Sequence, residues 1–410
     1  MSCGRADRLG LPDTTGQRTF LVTMLVDTLG SGAFFPFTLL YFRATTELSL
    51  TSIGLGLTLA NLFSVPFGPW FGSLTDRHGA RPICLLSNVL RAAGLGGYVL
   101  VHSLPGLVAA GLLVSVGDRA FWSSYGTLVG EVAAPGERQR WFGLLMATRN
   151  LGLGLGGLAG GVLIGMRGTT GPHALALLDA ASFGACALLL TRVRTRRQPG
   201  RREPDPGAWR AVLGDRGYLE LVGANVLLTL GLLVLGFLPV YVVETLGLPG
   251  WLAGGVFTLN CGLIAALQTT AVRLTEHRRR TRMLALAGVL LAVAMLVFLA
   301  ASAVPSRLTV LVVLLGCGLY TLGEIVYSPA ADTLAAEAAP EHLRGRYLSV
   351  YQLSWTASVT AGPLLAGALL DAGSVPLWTV FAGLVTAGAV AVLAAERRLP
   401  AGALGREVPT

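Results

Sequence analysis

The chain has 410 residues, of which 53% are hydrophobic and only 13% charged, and its formal net charge is +9. A soluble surface carries about twice that density of charge, so much of this molecule's surface faces something other than water. Every basic residue is an arginine, and the arginines sit in short gaps between apolar runs. That placement excludes nucleic acid as a partner and points to anchoring beside a lipid bilayer.

Twelve apolar runs follow one another, roughly 19–42, 51–72, 82–102, 105–130, 141–166, 172–192, 217–242, 251–272, 283–304, 307–334, 347–370 and 375–395. About 20 residues of helix span the hydrocarbon, and only a helix closes all its backbone hydrogen bonds there. The predicted fold is an all-α membrane protein with twelve transmembrane helices. The first run is too long for a signal-peptide core and is expected to stay as a span. With the N-terminus in the cytoplasm, the cytoplasmic segments hold 25 arginines and the external loops hold Arg43, Arg167 and Arg307. The positive-inside rule therefore places both termini in the cytoplasm.

The Arg- and Pro-rich segment 192–216 divides six runs from six, giving an N-terminal half 1–191, a basic linker, a C-terminal half 217–396 and a tail 397–410. At an offset of 206 residues, Gly117-Asp118 matches Gly323-Glu324, Glu131 matches Glu337, Arg138 and Arg140 match Arg344 and Arg346, Trp141 matches Tyr347 and Gly161 matches Gly367. A duplication of this kind predicts two pseudo-symmetric halves around a central cavity, with a binding site near the bilayer midplane.

Between the second and third runs stands Gly72-Ser73-Leu74-Thr75-Asp76-Arg77-His78-Gly79-Ala80-Arg81-Pro82. Gly72 suits a close helix approach and Gly79 a tight turn. Asp76 offers a carboxylate to arginines or to a helix N-terminus, while Arg77 and Arg81 hold the loop in the cytoplasm. The segment resembles the G-x-L-x-D-R-x-G-x-R loop of the major facilitator superfamily, and the resemblance extends over nearly the whole chain. It implies a secondary transporter, with Gly72, Asp76, Arg77, Gly79 and Arg81 as a gating loop. The matching loop of the second half, Leu274-Thr275-Glu276-His277-Arg278-Arg279-Arg280, keeps Leu-Thr-acid and loses the glycines.

In the fifth run Gly152, Gly154, Gly156, Gly157, Gly160 and Gly161 look like the glycine-rich signature of the antiporter branch, without its proline. Such residues equally serve plain helix packing. No nucleotide-binding loop is present, so ATP is not the energy source on this chain. No cofactor or metal is expected: Cys84, Cys186, Cys261 and Cys317 lie inside apolar runs, and no CxxC pair occurs.

Ionisable groups at membrane depth are site hypotheses. The deep acids are Asp27, Asp118, Asp179 and Glu324; the deep bases are Arg91, Arg119 and Arg149. Asp118 and Glu324 are equivalent in the repeat, and each carries aromatics on its own helical face: Trp122 and Tyr125 beside Asp118, Tyr320 and Tyr327 beside Glu324. An acid among aromatics suits a cationic or aromatic solute. The other reading is an interhelical pair, such as Asp118 with Arg149 or Arg91. Arg119 resembles the arginine of the superfamily's proton-coupled members, but Ser123 stands where their pattern has glycine. Asp27 is either a proton carrier or the partner of an arginine.

The expected function is gradient-driven export of a small hydrophobic or amphiphilic molecule by alternating access, with protons as the coupling ion. Its rivals are uptake by symport or uniport, and a receptor or accessory protein that kept the fold. The expected setting is the plasma or inner membrane, as a monomer in a lipid bilayer and not as an enzyme.

Overall fold

The computed structural model describes residues 12, 14–134, 137–166, 168–195, 212–275 and 278–405. The expected linker lies outside the described residues from 196 to 211, as do residues 1–11 and 406–410, Arg167 and the Glu276-His277 pair. Among the described residues every regular element is helical.

Among the described residues nine helices are long and apolar enough to cross a membrane, and a bent pair makes a tenth. In chain order the segments are α1 (Arg18–Thr45), the bent pair α2 (Leu50–Ser64 and Phe67–His78), α3 (Ala80–Tyr98), α4 (Leu104–Val132), α5 (Arg138–Ile164) and α6 (Thr170–Leu190). Then follow α7 (Arg216–Gly236), α8 (Gly250–Thr275), α9 (Arg280–Ala301), α10 (Ser306–Glu337), α11 (Arg344–Ala372) and α12 (Ser374–Ala395). The two less apolar segments, α3 and α5, carry Asn88 and Arg91, and Arg149 and Asn150, inside their length. Those polar groups lower the mean hydropathy of segments otherwise built like the rest.

Prolines set the breaks. Pro36 interrupts α1 with a single turn of 3₁₀ helix, Phe35–Phe37. Pro66 offers no N–H to the chain one turn back, and the two parts of α2 meet at 42°. At the end of the first part, Ser64 donates back to Asn61 O at 2.6 Å. In α7 the regular helix stops at Leu232, and a π turn over Tyr241–Thr245 follows Pro239. Tyr320 of α10 donates its hydroxyl to Leu232 O at 2.7 Å, satisfying a carbonyl beside the break.

The chain divides into two compact units: Met1–Arg202 with Pro249–Cys261, and Glu203–Leu248 with Gly262–Thr410. In the first, α3 packs against α4 and α6, and α1 against α5 and α6. In the second, α9 packs against α10 and α12, and α7 against α11 and α12. The same neighbours recur six helices later. The division differs from the sequence expectation at 249–261, the first half of α8. That stretch meets α5 through glycine: a Cβ on Gly161 would lie 2.8 Å from Gly250 O and 2.9 Å from Gly254 Cα.

Glycine gives α5 two faces. Gly152, Gly156 and Gly160 lie against Thr28, Leu29 and Ala33 of α1, whereas Gly154, Gly157 and Gly161 lie against Cys261, Phe257 and Gly254 of α8. At every glycine of the run except Gly154, where a Cβ would find ordinary contact distances, a side chain would intrude on the neighbouring helix.

Candidate functional site

The first unit holds its deep charges around one arginine. Arg91 of α3 is 4% exposed. Its Nη2 lies 3.3 Å from Asp27 Oδ1 on α1, and its Nη1 lies 3.8 Å from Asp118 Oδ1 on α4. Nη2 also donates to Asn88 Oδ1 at 3.1 Å. Phe121 and Phe183 flank the guanidinium, with their ring centroids 4.7 and 4.1 Å from its central carbon. Stacking of this kind stabilises a desolvated cation by roughly 2 kcal/mol.

The two acids differ in access. Asp27 is buried, whereas the Asp118 side chain is 51% exposed. Asp179 of α6 is buried too, and Ser182 donates to its Oδ1 at 3.2 Å. A buried carboxylate must be paired, hydrogen-bonded or protonated. The cation beside Asp27 is Arg91. Asp118 likewise sits beside Arg91, while Arg149 lies over the Trp122 ring at 5.3 Å.

The other candidates of this unit spread outward from Asp118. Trp122 is exposed and meets Tyr125 and Phe121 edge-on; Tyr125 stacks on Phe121 at 5.3 Å. Arg119 points toward the bend of α2, where its Nε donates to Ser64 Oγ at 3.2 Å.

The loop residues separate by role. Gly79 has φ +87°, a conformation that favours glycine, and it is the turn between α2 and α3. The close helix approach expected at Gly72 is absent among the described residues: a Cβ there would meet nothing within 4 Å. Arg81 caps the end of α6, its Nε donating to Leu190 O at 2.9 Å and its Nη2 to Thr191 O. A cation at a helix C-terminus opposes the helix dipole. Asp76 and Arg77 are exposed at the end of α2.

In the second unit Glu324 is partly exposed on α10. The aromatics expected to line its surroundings are instead packed ties. Tyr320 is fully buried and holds the α7 break. Tyr327 donates to Asn225 Oδ1 at 2.7 Å, Tyr351 donates to the same oxygen at 3.0 Å, and Asn225 Nδ2 donates to Ser354 Oγ at 2.7 Å. Helices α7, α10 and α11 are thus joined by a neutral network, where the first unit uses charge.

Sequence reasoning left three groups outside the expected site. Arg91 figured as one deep base among three and as one of two possible partners of Asp118; the structure sets it beside both Asp118 and Asp27. Glu131, which entered only as the repeat match of Glu337, is buried and accepts from Ala80 N at 3.2 Å, capping α3. Its repeat partner Glu337 pairs with Arg280 at the start of α9, at 2.5 and 3.0 Å. The repeat was the available signal, since both acids end the helix that carries a deep carboxylate. Asn225 carried no sequence signal at all.

Two bundled units of long apolar helices, with ionisable groups buried within a span, define a multi-pass membrane transporter. The chain belongs to the Major Facilitator Superfamily, whose family model matches residues 20–326. It is 29% identical over 367 residues to the multidrug resistance protein MdtH of Cronobacter sakazakii, covering 87% of both chains. It is 26% identical over 372 residues to the MdtH of Klebsiella pneumoniae, covering 89% of both. The fold resembles the nucleoside transporter NupG (TM-score 0.78, 12% identity, 92% of this chain and 98% of that one). It also resembles a bacterial homologue of the lysosomal transporter Spinster in an inward-facing, unoccupied conformation (TM-score 0.74, 15% identity, 97% and 99%).

Proposed function

We propose that this transporter exports a small hydrophobic or amphiphilic molecule by alternating access, driven by proton antiport. The observation that carries the proposal is the shared ion pair Asp27–Arg91–Asp118, one carboxylate buried and the other half-exposed. An ion-coupled transporter needs a group that binds and releases the ion during its cycle, and a membrane-buried carboxylate with an accessible neighbour supplies one. Relatives named as multidrug resistance proteins support export as the direction.

In this proposal Asp118, Trp122 and Tyr125 are the solute-binding candidates of the first unit and Glu324 that of the second, while Tyr320 and Tyr327 hold the helix that carries Glu324. Arg119 steadies the bend of α2. Gly72, Asp76, Arg77, Gly79 and Arg81 form a gating loop on the cytoplasmic side, with Asp76 as a latch that accepts from a helix N-terminus. Asp76→Asn should slow turnover and leave solute binding intact; unchanged turnover removes the latch. The chain works as a monomer in the inner membrane with both termini in the cytoplasm. Impermeant labelling of a cysteine placed at residue 405 in intact cells tests that orientation.

Cells with the protein should accumulate less ethidium, a fluorescent amphiphilic cation, or less of an uncharged amphiphilic dye, than cells without it. A protonophore should erase the difference. Equal accumulation of every dye, or a difference that survives the protonophore, contradicts the proposal.

A further inference from the structure

The repeat shows what Arg91 is not needed for. Gly117 of α4 lies over α3, where an added Cβ would stand 2.7 Å from Arg91 Cγ and 2.9 Å from Ser87 O. Its counterpart Gly323 of α10 lies over α9, where an added Cβ would stand 2.9 Å from Leu291 Cγ and 3.3 Å from Ala287 O. Ser87 and Arg91 thus occupy the places of Ala287 and Leu291. The same helix crossing is filled by leucine in one unit and by arginine in the other. Leucine satisfies the packing without the cost of burying a charge in the membrane. Arg91 is present for its charge.

That charge is placed between two acids that do not share an environment. Arg91 offers a different nitrogen to each carboxylate, Nη2 toward Asp27 and Nη1 toward Asp118. The Phe121 and Phe183 rings hold the guanidinium at its depth. An arginine keeps its proton under all physiological conditions, so it is a fixed counter-ion and never the carrier. We propose that Arg91 is the positioning residue of proton coupling, a single cation for which Asp27 and Asp118 compete, so that a proton bound by one carboxylate releases the guanidinium to the other. This rests on the proton-antiport reading given above and names the device that would perform it. The step is balanced: a proton from solution adds to a carboxylate oxygen at the half-exposed Asp118 or at Asp27, an ion pair opens, and the other tightens.

Other groups bear on the pair from every side. Asp179 and Cys186 of α6, Cys84 of α3 and Arg149 of α5 lie within electrostatic reach of Asp27 or Arg91. Tyr98 of α3 and Arg119 of α4 lie within reach of Asp118. Asp179 is a further buried carboxyl group beside the pair.

The test uses the full-length protein in proteoliposomes, with ethidium as probe and two readouts: uphill movement driven by a pH gradient, and exchange at equal pH. Arg91→Leu copies the residue that the second unit already uses. It should keep exchange within about two-fold of wild type and lose gradient-driven movement. Asp118→Asn alters a half-exposed group and leaves Arg91 to Asp27 alone. It should move the pH of half-maximal gradient-driven transport about one unit toward acid, the size of effect expected when a carboxylate gains an undivided cation. Arg91→Leu with wild-type coupling, or Asp118→Asn with an unmoved pH profile, overturns the proposal. Should Arg91→Leu fail to assemble, the Asp118→Asn profile decides alone. If wild type responds to no pH gradient, the antiport reading fails first and this one with it. A coupled wild type beside unaffected variants rejects Arg91 only.

Discussion

Gly156 and Gly72 both look like helix-packing glycines in the sequence, yet their surroundings differ. A Cβ on Gly156 would overlap Leu29 O of α1, a backbone atom that cannot swing aside. Gly143, on the same α5, has nothing within 4 Å. Gly156→Ala should therefore lower the melting temperature of the purified protein, because overpacking of a close contact costs roughly 1–3 kcal/mol. Gly143→Ala should leave it unchanged or raise it, since alanine favours a helix interior by up to about 1 kcal/mol. Equal melting temperatures for the two variants would show that the α1–α5 contact does not depend on glycine. At this scale the sequence is legible where backbone geometry dictates residue type, as at Gly79 with its positive φ. It is opaque where the outcome depends on which neighbour arrives. Nothing in the order of residues says that Arg91, not Arg149, lies beside Asp118.

Among the elements, the part of the tail that is described forms a strap on the second unit. The segment from Glu396 turns back beneath α9: Glu396 accepts from Arg279 at 2.6 Å and from Thr281 at 2.5 Å, and Ala403 O accepts from Arg280 at 2.6 Å. Arg398 adds an ion pair with Glu220 of α7. The loop before α9 lost the glycines of its counterpart, and these contacts hold the start of α9 as Glu131 and Arg81 hold the loop before α3. Thr281 is fully buried, so Glu396→Ala would leave its hydroxyl without this acceptor, a loss of about 1–3 kcal/mol. Thermal unfolding should show that loss, and Glu396→Gln, which keeps an acceptor oxygen, should show less of it. Identical unfolding for both variants and wild type would mean that the strap is not held by Glu396. The helical segments themselves were legible from apolar runs and turn residues. The breaks were only half legible, because Pro36, Pro66 and Pro239 mark where a hydrogen bond is lost but not which side chain restores it. Tyr320 reads as a lining aromatic in the sequence because its target, Leu232 O, is a backbone atom 88 residues away.

For the whole molecule, the duplication explains both the shared architecture and the division of labour. The two units repeat the same helix neighbours, but one joins its helices through Asp27, Arg91 and Asp118 and the other through Asn225, Tyr327, Tyr351 and Ser354. Charge that can bind a proton is thus concentrated in the first unit, while the second carries Glu324 on a helix fixed by neutral hydrogen bonds. The central claim is that solute and protons cross in opposite directions through one cycle. Proteoliposomes loaded with a pH-sensitive dye and given an outward ethidium gradient test it directly. The internal pH should fall as ethidium leaves, and Asp27→Asn should remove the fall while ethidium exchange continues. Ethidium efflux with no change in internal pH, or with a rise, would contradict proton antiport.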